Sequence, residues 1–285
     1  MLDLDRDVSG LRAVAAPPLP LARLVEGRGV EEVAELLPRL FNLCRVAQTI
    51  GLRMALGLGT VETGALAAEI AREHALKLSV VWPVQVGLPA RLGGAPDVLG
   101  GNFPREAEAF ADYMREDVGI GPLLRAVAAR FGPGEGVCAV LPEVSLNSVF
   151  AVTAQENSIA GRHLAHPVMR HIEGRYGRGP LWRVVARALD LEAAERGDLP
   201  TPYLTLEGAA IVPAARGLYA VRAEVQAGRV LCLSRLTPTD HLLAHGGIMA
   251  QALASLPRAK HAEAGLLVDL LDPCTPVTLK GGAHA

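Results

Sequence analysis

Apolar residues recur at Val30, Val33, Ala34, Leu37 and Leu40, with Glu31, Glu32 and Glu35 between them. That three-and-four spacing predicts an amphipathic helix over 30–40. Pro38 is expected to break or restart it, because proline brings no amide hydrogen to the helical ladder. From Leu43 to about Leu76 helical spacing continues in Ala, Leu and Ile, with Gly51, Gly57, Gly59 and Gly64 marking close packing or breaks. Residues 83–103 are rich in Pro and Gly and read as a long loop. Helices are expected at 104–116, 121–130, about 144–175 and 180–196, with Phe131–Gly136 as a breaker. The period then changes to alternation. Segments 214–223 and 229–236 flank Gln226-Ala227-Gly228, the pattern of a β-hairpin with a glycine-containing turn. Thr237-Pro238-Thr239-Asp240 ends the second strand and offers a helix cap. A last helix at about 261–271 leads into Asp272-Pro273-Cys274. The chain thus reads as mainly α with a small antiparallel β-hairpin or sheet, an α+β fold. Residues 1–22 read as an irregular or extended N-terminal arm, and 23–285 as a single domain.

Half of the 285 residues are hydrophobic and a fifth are charged, which suits a globular chain able to bury a substantial core. A net charge of −2 and only 4% aromatic residues argue against nucleic acid, which needs cationic contacts to phosphate and rings for stacking. The mean hydropathy is positive, yet a spanning helix needs about 20 mostly apolar residues. Val46 to Leu66 contains Arg53 and Glu62, and Leu78 to Pro89 is short and broken by prolines. The opening Met-Leu-Asp-Leu-Asp-Arg-Asp is too acidic for a signal peptide. The expectation is a cytoplasmic protein with no membrane or nucleic-acid partner.

Four cysteines, Cys44, Cys138, Cys232 and Cys274, stand singly, so C-x-x-C chemistry is excluded by spacing. Cys44 lies within Arg39–Gln48, at or near an expected helix start. There the positive end of the helix dipole and Arg45 would both favour a thiolate. Cys274 follows Asp-Pro at a helix end. On spacing alone, an inert core thiol is the commoner meaning of either position. His163, His166 and His171 have loosely metal-like spacing, and His241 and His245 stand at i, i+4. Leu242 occupies the place where H-E-x-x-H needs glutamate, so surface or helix-cap histidines are the expectation. Phe131–Gly136 lacks the Gly-Lys-Ser/Thr end of a P-loop, and no G-x-S-x-G elbow occurs. Glu26, Glu31, Glu32 and Glu35 form either a solvated acidic face or an interaction surface.

Three blocks together resemble the large subunit of nickel–iron hydrogenase, in the same order along the chain. Arg39–Gln48 is similar to a degraded copy of its motif R-I-C-G-V-C-P-V-A-H. Leu24–Arg28 resembles the segment before that motif, and Ile70–His74 a family helix bearing a histidine. Pro213-Ala214-Ala215-Arg216-Gly217-Leu218-Tyr219 resembles A-P-R-G-A-L-G, and Leu236–Thr239 resembles V-x-P-T-T-W. Leu267–Cys274 is similar to the S-F-D-P-C-x-x-C-x-x-H terminus. The resemblance covers about 23–76 and 202–280 and implies a reduced large-subunit fold, with a less alignable helical middle at about 83–200. The departures matter equally. The first motif's first cysteine falls on Phe41, its second on Cys44, its proline on Arg45 and its histidine on Gln48. The last motif's second cysteine falls on Val277. Its histidine, near which a maturation protease trims the large subunit, falls on Lys280.

In the large subunit four thiolates hold nickel, and two of them bridge to an iron carrying cyanide and carbon monoxide. With one thiol of each pair left, two ligands cannot complete that bimetallic site. No nickel and no hydrogen turnover are expected, and the chain is not expected to be an enzyme. The combination resembles the HupK/HoxV type of hydrogenase accessory protein, a truncated relative of the large subunit. That resemblance implies a scaffold transiently binding the Fe(CN)2CO unit or its precursor. Cys44 and Cys274 would be its metal ligands, Cys44 matching a bridging ligand and Cys274 one that binds nickel only. Arg216 would donate charge-assisted hydrogen bonds to cyanide, and Thr237 and Thr239 would line the same pocket. A HypC-type hydrogenase chaperone and the large-subunit precursor are the implied partners. Two other readings stay open: a metal-free chaperone that mimics the large subunit, and an enzyme with residual redox chemistry at Cys44.

Overall fold

The structure, a computed structural model, describes residues 10–41, 43–59 and 63–281. In its first part lie α1 (Leu21–Val25), α2 (Val30–Leu40), α3 (Arg45–Ala55), α4 (Gly64–Leu76), α5 (Trp82–Gln85) and α6 (Ala95–Leu99). The middle holds α7 (Ala107–Tyr113), α8 (Gly121–Arg130), α9 (Pro167–Tyr176) and α10 (Pro180–Arg196). Later come α11 (Pro238–Leu242), α12 (Ile248–Ala254) and α13 (Ala264–Leu271). The strands are β1 (Arg12–Ala15), β2 (Tyr203–Leu204), β3 (Ala210–Ala214), β4 (Gly217–Gln226), β5 (Arg229–Leu236) and β6 (Val277–Lys280).

Apolar residues run all round α10: Leu181, Trp182, Val184, Val185, Ala188 and Leu191 are all buried. A helix buried on every side belongs in the interior, and α10, which also buries Arg183, Arg187 and Asp190, packs against α4, α8, α9 and α13. Proline opens it, and Gly197 ends it in the left-handed conformation. Strands β2, β3, β4 and β5 form one antiparallel sheet in that order. Helices α2 and α3 cover one face, setting Val33, Leu37, Ile50 and Leu52 in one core cluster with Val212, Tyr219, Val221 and Val230. Gly51 permits the close approach of α3, since a Cβ there would stand 2.8 Å from the Tyr219 ring. Val149 closes part of the other face over Ile211 and Ala220.

Both tight turns of this sheet have two residues. Gln226 pairs with Arg229 across Ala227 and Gly228, whose φ values of 50° and 71° match the twist of the flanking strands. Alanine bears a left-handed penalty of about 1 kcal/mol there. Ala227→Asn is therefore expected to raise the Tm in thermal melting; a Tm at or below that of the parent would contradict the strain. Ala214 pairs with Gly217, which makes Ala215-Arg216 the second turn.

Several expectations are corrected. Helix α2 runs through Pro38 to Leu40, because Pro38 stands in the last turn and removes a single ladder bond. The helical stretch from Leu43 to Leu76 is two helices, α3 ending before Gly57 and α4 starting at Gly64, among the glycines marked for breaks, with residues 60–62 outside the described ones. Lys77–Val81 then continue α4 as a π-turn into α5, and α6 lies inside the expected 83–103 loop. Expected helix 104–116 shrinks to α7. Of 144–175, only Ile159–His163 (a 3₁₀ turn) and α9 are helical. Before them Gln155 donates to the carbonyls of Ser148 and Ala151, a side-chain bonding pattern that competes with a helix. Ala214 ends β3, a strand missing from the sequence reading, so the first hairpin strand begins at Gly217. The described part of the N-terminal arm, from Gly10, is tied to the C-terminal segment: β1 pairs with β6, and Ala16 N–H reaches the Pro276 carbonyl at 3.1 Å. Among the described residues no helix is long and apolar enough to cross a membrane.

Candidate functional site

Cys44 is the N-cap of α3 and adopts a left-handed backbone at φ 53°. The first free amides of that helix, on Val46 and Ala47, donate to the Glu69 carboxylate of α4 at 2.7 and 3.2 Å. Glu69 thus answers the positive end of the dipole, and Arg45 points to solvent. The local argument for a thiolate is corrected accordingly, and the commoner reading of an unreactive thiol fits better. Burial pushes the Cys44 thiol up, Arg216 pulls it back only in part, and Glu69 adds to the rise. Near neutral pH the sulfur carries its proton.

The Ala215-Arg216 turn brings Arg216 to this sulfur, with Nη1 3.3 Å from Cys44 Sγ. The turn can sit so deep because Gly217, at φ 145°, passes the Asn157 carbonyl; a Cβ would stand 2.2 Å from its oxygen. Asn157 then brackets Leu218, donating to its carbonyl at 3.0 Å and accepting its N–H at 2.8 Å. The other edge of the guanidinium faces Asp272: Nη2 donates at 3.4 Å, and Nε forms an ion pair at 3.2 Å without hydrogen-bond alignment. Glu73 Oε2 lies 3.6 Å from Nη2. Burial opposes the Arg216 charge, but Asp272 and Cys44 outweigh it and raise its pKa.

Asp272 ends α13 in a left-handed conformation and is buried. Its carboxylate also takes Arg187 Nη2 and Lys77 Nζ, each at 2.9 Å. Burial would raise its pKa, yet Arg187, Arg216 and Lys77 hold it at about 2. Two residues on, Cys274 N–H donates to Thr239 Oγ1 at 2.8 Å, and its Sγ is 4.0 Å from Thr237 Oγ1. Thr237 caps α11 by donating N–H and Oγ1–H to Asp240 Oδ2, both at 2.7 Å. The residues singled out in the sequence therefore fall into two groups, Cys44 with Arg216 and Cys274 with Thr237 and Thr239. Asp272 links them.

The residues that the resemblance sets at lost ligand positions make other contacts. Arg235 covers the Phe41 ring at 3.7 Å, and the Gln48 amide donates to Leu43 O at 2.8 Å, tying down the loop before Cys44. Val277 and Lys280 are strand residues of β6, with Lys280 exposed. Among the described residues no group of three or more His, Cys, Asp or Glu is arranged to hold a metal ion.

The histidines do not converge either, and two of them correct the surface reading. His163 bonds Asp190 at 3.0 Å, and His241 is buried between Gln155 and Asn157. His166 caps α9, while His171 and His245 are exposed. Glu26, Glu31, Glu32 and Glu35 form an exposed face. Cys138 is buried beside Arg183, and Cys232 is exposed.

Sequence reasoning missed Glu69, Glu73, Lys77 and Arg187. A signal for the first three was present: they recur every four residues, so they share one face of α4 and its π-turn continuation.

No family model matches the chain. The hydrogenase expression/formation protein HupK of Rhodobacter capsulatus is 46% identical over 278 residues, covering 94% of this chain and 92% of its own length. Two solved structures are similar at 13% identity. The G491S variant of the NiFeSe hydrogenase from Desulfovibrio vulgaris Hildenborough has a TM-score of 0.57, with 95% of this chain and 96% of that chain covered. The reduced, active NiFeSe hydrogenase of Desulfomicrobium baculatum has a TM-score of 0.56, with 95% and 97% covered. At that identity the likeness is one of fold, that of the hydrogenase large subunit. With close to half of its residues shared along nearly the whole length of that relative, the chain belongs to the HupK family of hydrogenase expression/formation proteins.

Proposed function

We propose that this chain serves hydrogenase maturation as a non-catalytic scaffold that transiently holds the Fe(CN)2CO unit, or its precursor, for delivery to the large subunit. One observation carries the reading. The Arg216 guanidinium meets Cys44 Sγ on one side and Asp272 on the other, at the helix end from which Cys274 follows. Soft thiolates suit low-valent iron, and a guanidinium is a charge-assisted donor to cyanide nitrogen. In this reading Cys44 and Cys274 ligate the iron, Arg216 binds cyanide, and Thr237 and Thr239 flank Cys274. Nickel is not held, because Phe41 and Val277 replace the other two family thiols. A HypC-type chaperone is the proposed donor and the large-subunit precursor the proposed acceptor, both in the cytoplasm. The designation of the Rhodobacter relative as an expression/formation protein supports an accessory role.

Loading must displace the Cys44 proton, since the thiolate is the ligand. Iron affinity is therefore expected to rise with pH, about tenfold per unit for each proton released, until the raised Cys44 pKa is passed.

Infrared spectra of protein purified anaerobically from a hydrogenase-producing host test the scaffold. Cyanide and carbonyl bands are expected in the parent and absent from Cys44→Ser and Cys274→Ser. The neutral, half-buried Cys44 thiol favours a second reading, a metal-free mimic of the large subunit. Iron-free protein that still supports maturation after both substitutions would establish that one instead.

A further inference from the structure

Asp272 holds Arg216 by its side chain; a second device holds its backbone. Arg162, in the 3₁₀ turn before α9, donates through Nη2 to the carbonyls of Ala214 and Gly217 at 2.7 and 2.6 Å. These two residues flank the Ala215-Arg216 turn. Nη1 of the same guanidinium donates to Asp190 Oδ2 at 2.8 Å. Asp190 also binds His74 Nε2 at 2.8 Å, and Arg187 Nη1 donates to His74 Nδ1 at 3.0 Å. Arg187 then reaches Asp272 at 2.9 Å, and Asp272 returns to Arg216. The links close a ring. They also set the His74 tautomer: Nδ1 accepts, so Nε2 carries the hydrogen, and burial holds the ring neutral with a pKa of about 4.

We propose that Asp190 and Arg162 are positioning residues for the Cys44–Arg216 pair, fixing the turn so that the guanidinium meets the sulfur. Packing alone does not account for them. Asp190 is fully buried on a helix whose other buried residues are mostly apolar, Arg183 and Arg187 apart, and an apolar residue of similar size is often as stable in such a place or more so. What the ion pairs add is direction. A guanidinium fork reaches two carbonyls and a carboxylate at once, which an ammonium cannot match in one plane. The proposal rests on the reading of Cys44 and Arg216 as the binding site.

The test uses the full chain with Asp190→Asn and Arg162→Lys, each checked for cooperative melting. The pH dependence of Cys44 alkylation by iodoacetamide is followed peptide by peptide in the mass spectrometer, with exposed Cys232 as the internal reference. A cation beside a thiol typically moves its titration by about 1–3 pH units, so partial displacement of Arg216 is expected to raise the Cys44 midpoint by about half a unit or more. Cys232 should not move. Folded variants that titrate Cys44 as the parent does would overturn the proposal. If Asp190→Asn does not fold, Arg162→Lys decides, since it leaves Asp190 a cation to face. Absence of cyanide and carbonyl bands from the parent would sink the scaffold, while a displaced Cys44 titration would still uphold the positioning role.

Discussion

Asp272→Asn is expected to remove about 3–5 kcal/mol of stability, the usual cost of breaking a buried ion pair from one side. One carboxylate faces Arg187, Lys77 and Arg216, whose side chains are 5%, 20% and 6% exposed. Asparagine keeps the size and loses the charge, leaving three poorly solvated cations close together. Urea denaturation of the two proteins measures the difference; a loss under about 1 kcal/mol would show that the cluster does not depend on this carboxylate. The pH dependence has a definite sign. The folded-state pKa of about 2 lies below the unfolded value of 3.8, so the contribution is complete above the unfolded value. It is lost as pH falls through the folded value. The difference corresponds to about 2 kcal/mol, and Asp272→Asn should abolish that part of the acid sensitivity between about pH 4 and pH 2.

In the proposed scaffold reading, Arg216→Ala is expected to empty the iron site at a smaller cost in stability than Asp272→Asn, because Asp272 keeps Arg187 and Lys77. Cys44 would lose the cation that opposes burial, so burial and Glu69 together push its thiol further up. The cargo would lose a charge-assisted hydrogen bond of about 1.5–3 kcal/mol, which is at least a tenfold fall in retention. Arg216→Lys keeps the charge without the two-edged fork and should fall between. Iron per chain after anaerobic purification reads this directly. Full iron occupancy in Arg216→Ala would remove Arg216 from the site.

These effects show unevenly in the sequence. Arg216 is recognisable from Arg-Gly-Leu at the start of a hairpin strand, and Asp272 from Asp-Pro-Cys, so the site's ends were legible. Its middle was not. Arg162, Arg187 and Asp190 lie in the segment with no alignable motif, and each reads singly as one more charge on a helix. The Cys44 thiolate failed for a related reason. A helix dipole can be read from a helix start, but Glu69, 23 residues from Val46 in sequence, already occupies it.

The sequence by itself determined the elements that local periodicity and termini decide. Helices α8 and α10 fall where apolar spacing, an initial proline and a following breaker place them, and Ala227-Gly228 turns β4 into β5. The resemblance that the sequence carries further implies what is missing, by setting Phe41, Gln48, Val277 and Lys280 where a large subunit has ligands or its processing histidine. Only the tertiary structure decided that β1 clasps β6 across the length of the chain, that β3 sets up the Arg216 turn, and that Asp272 joins the two cysteine groups. Those are pairings between distant segments, and their energies depend on how much water packing removes. For Cys44 that dependence was decisive: burial, a property of the assembled fold, outweighed the neighbouring features in the sequence that favour a thiolate.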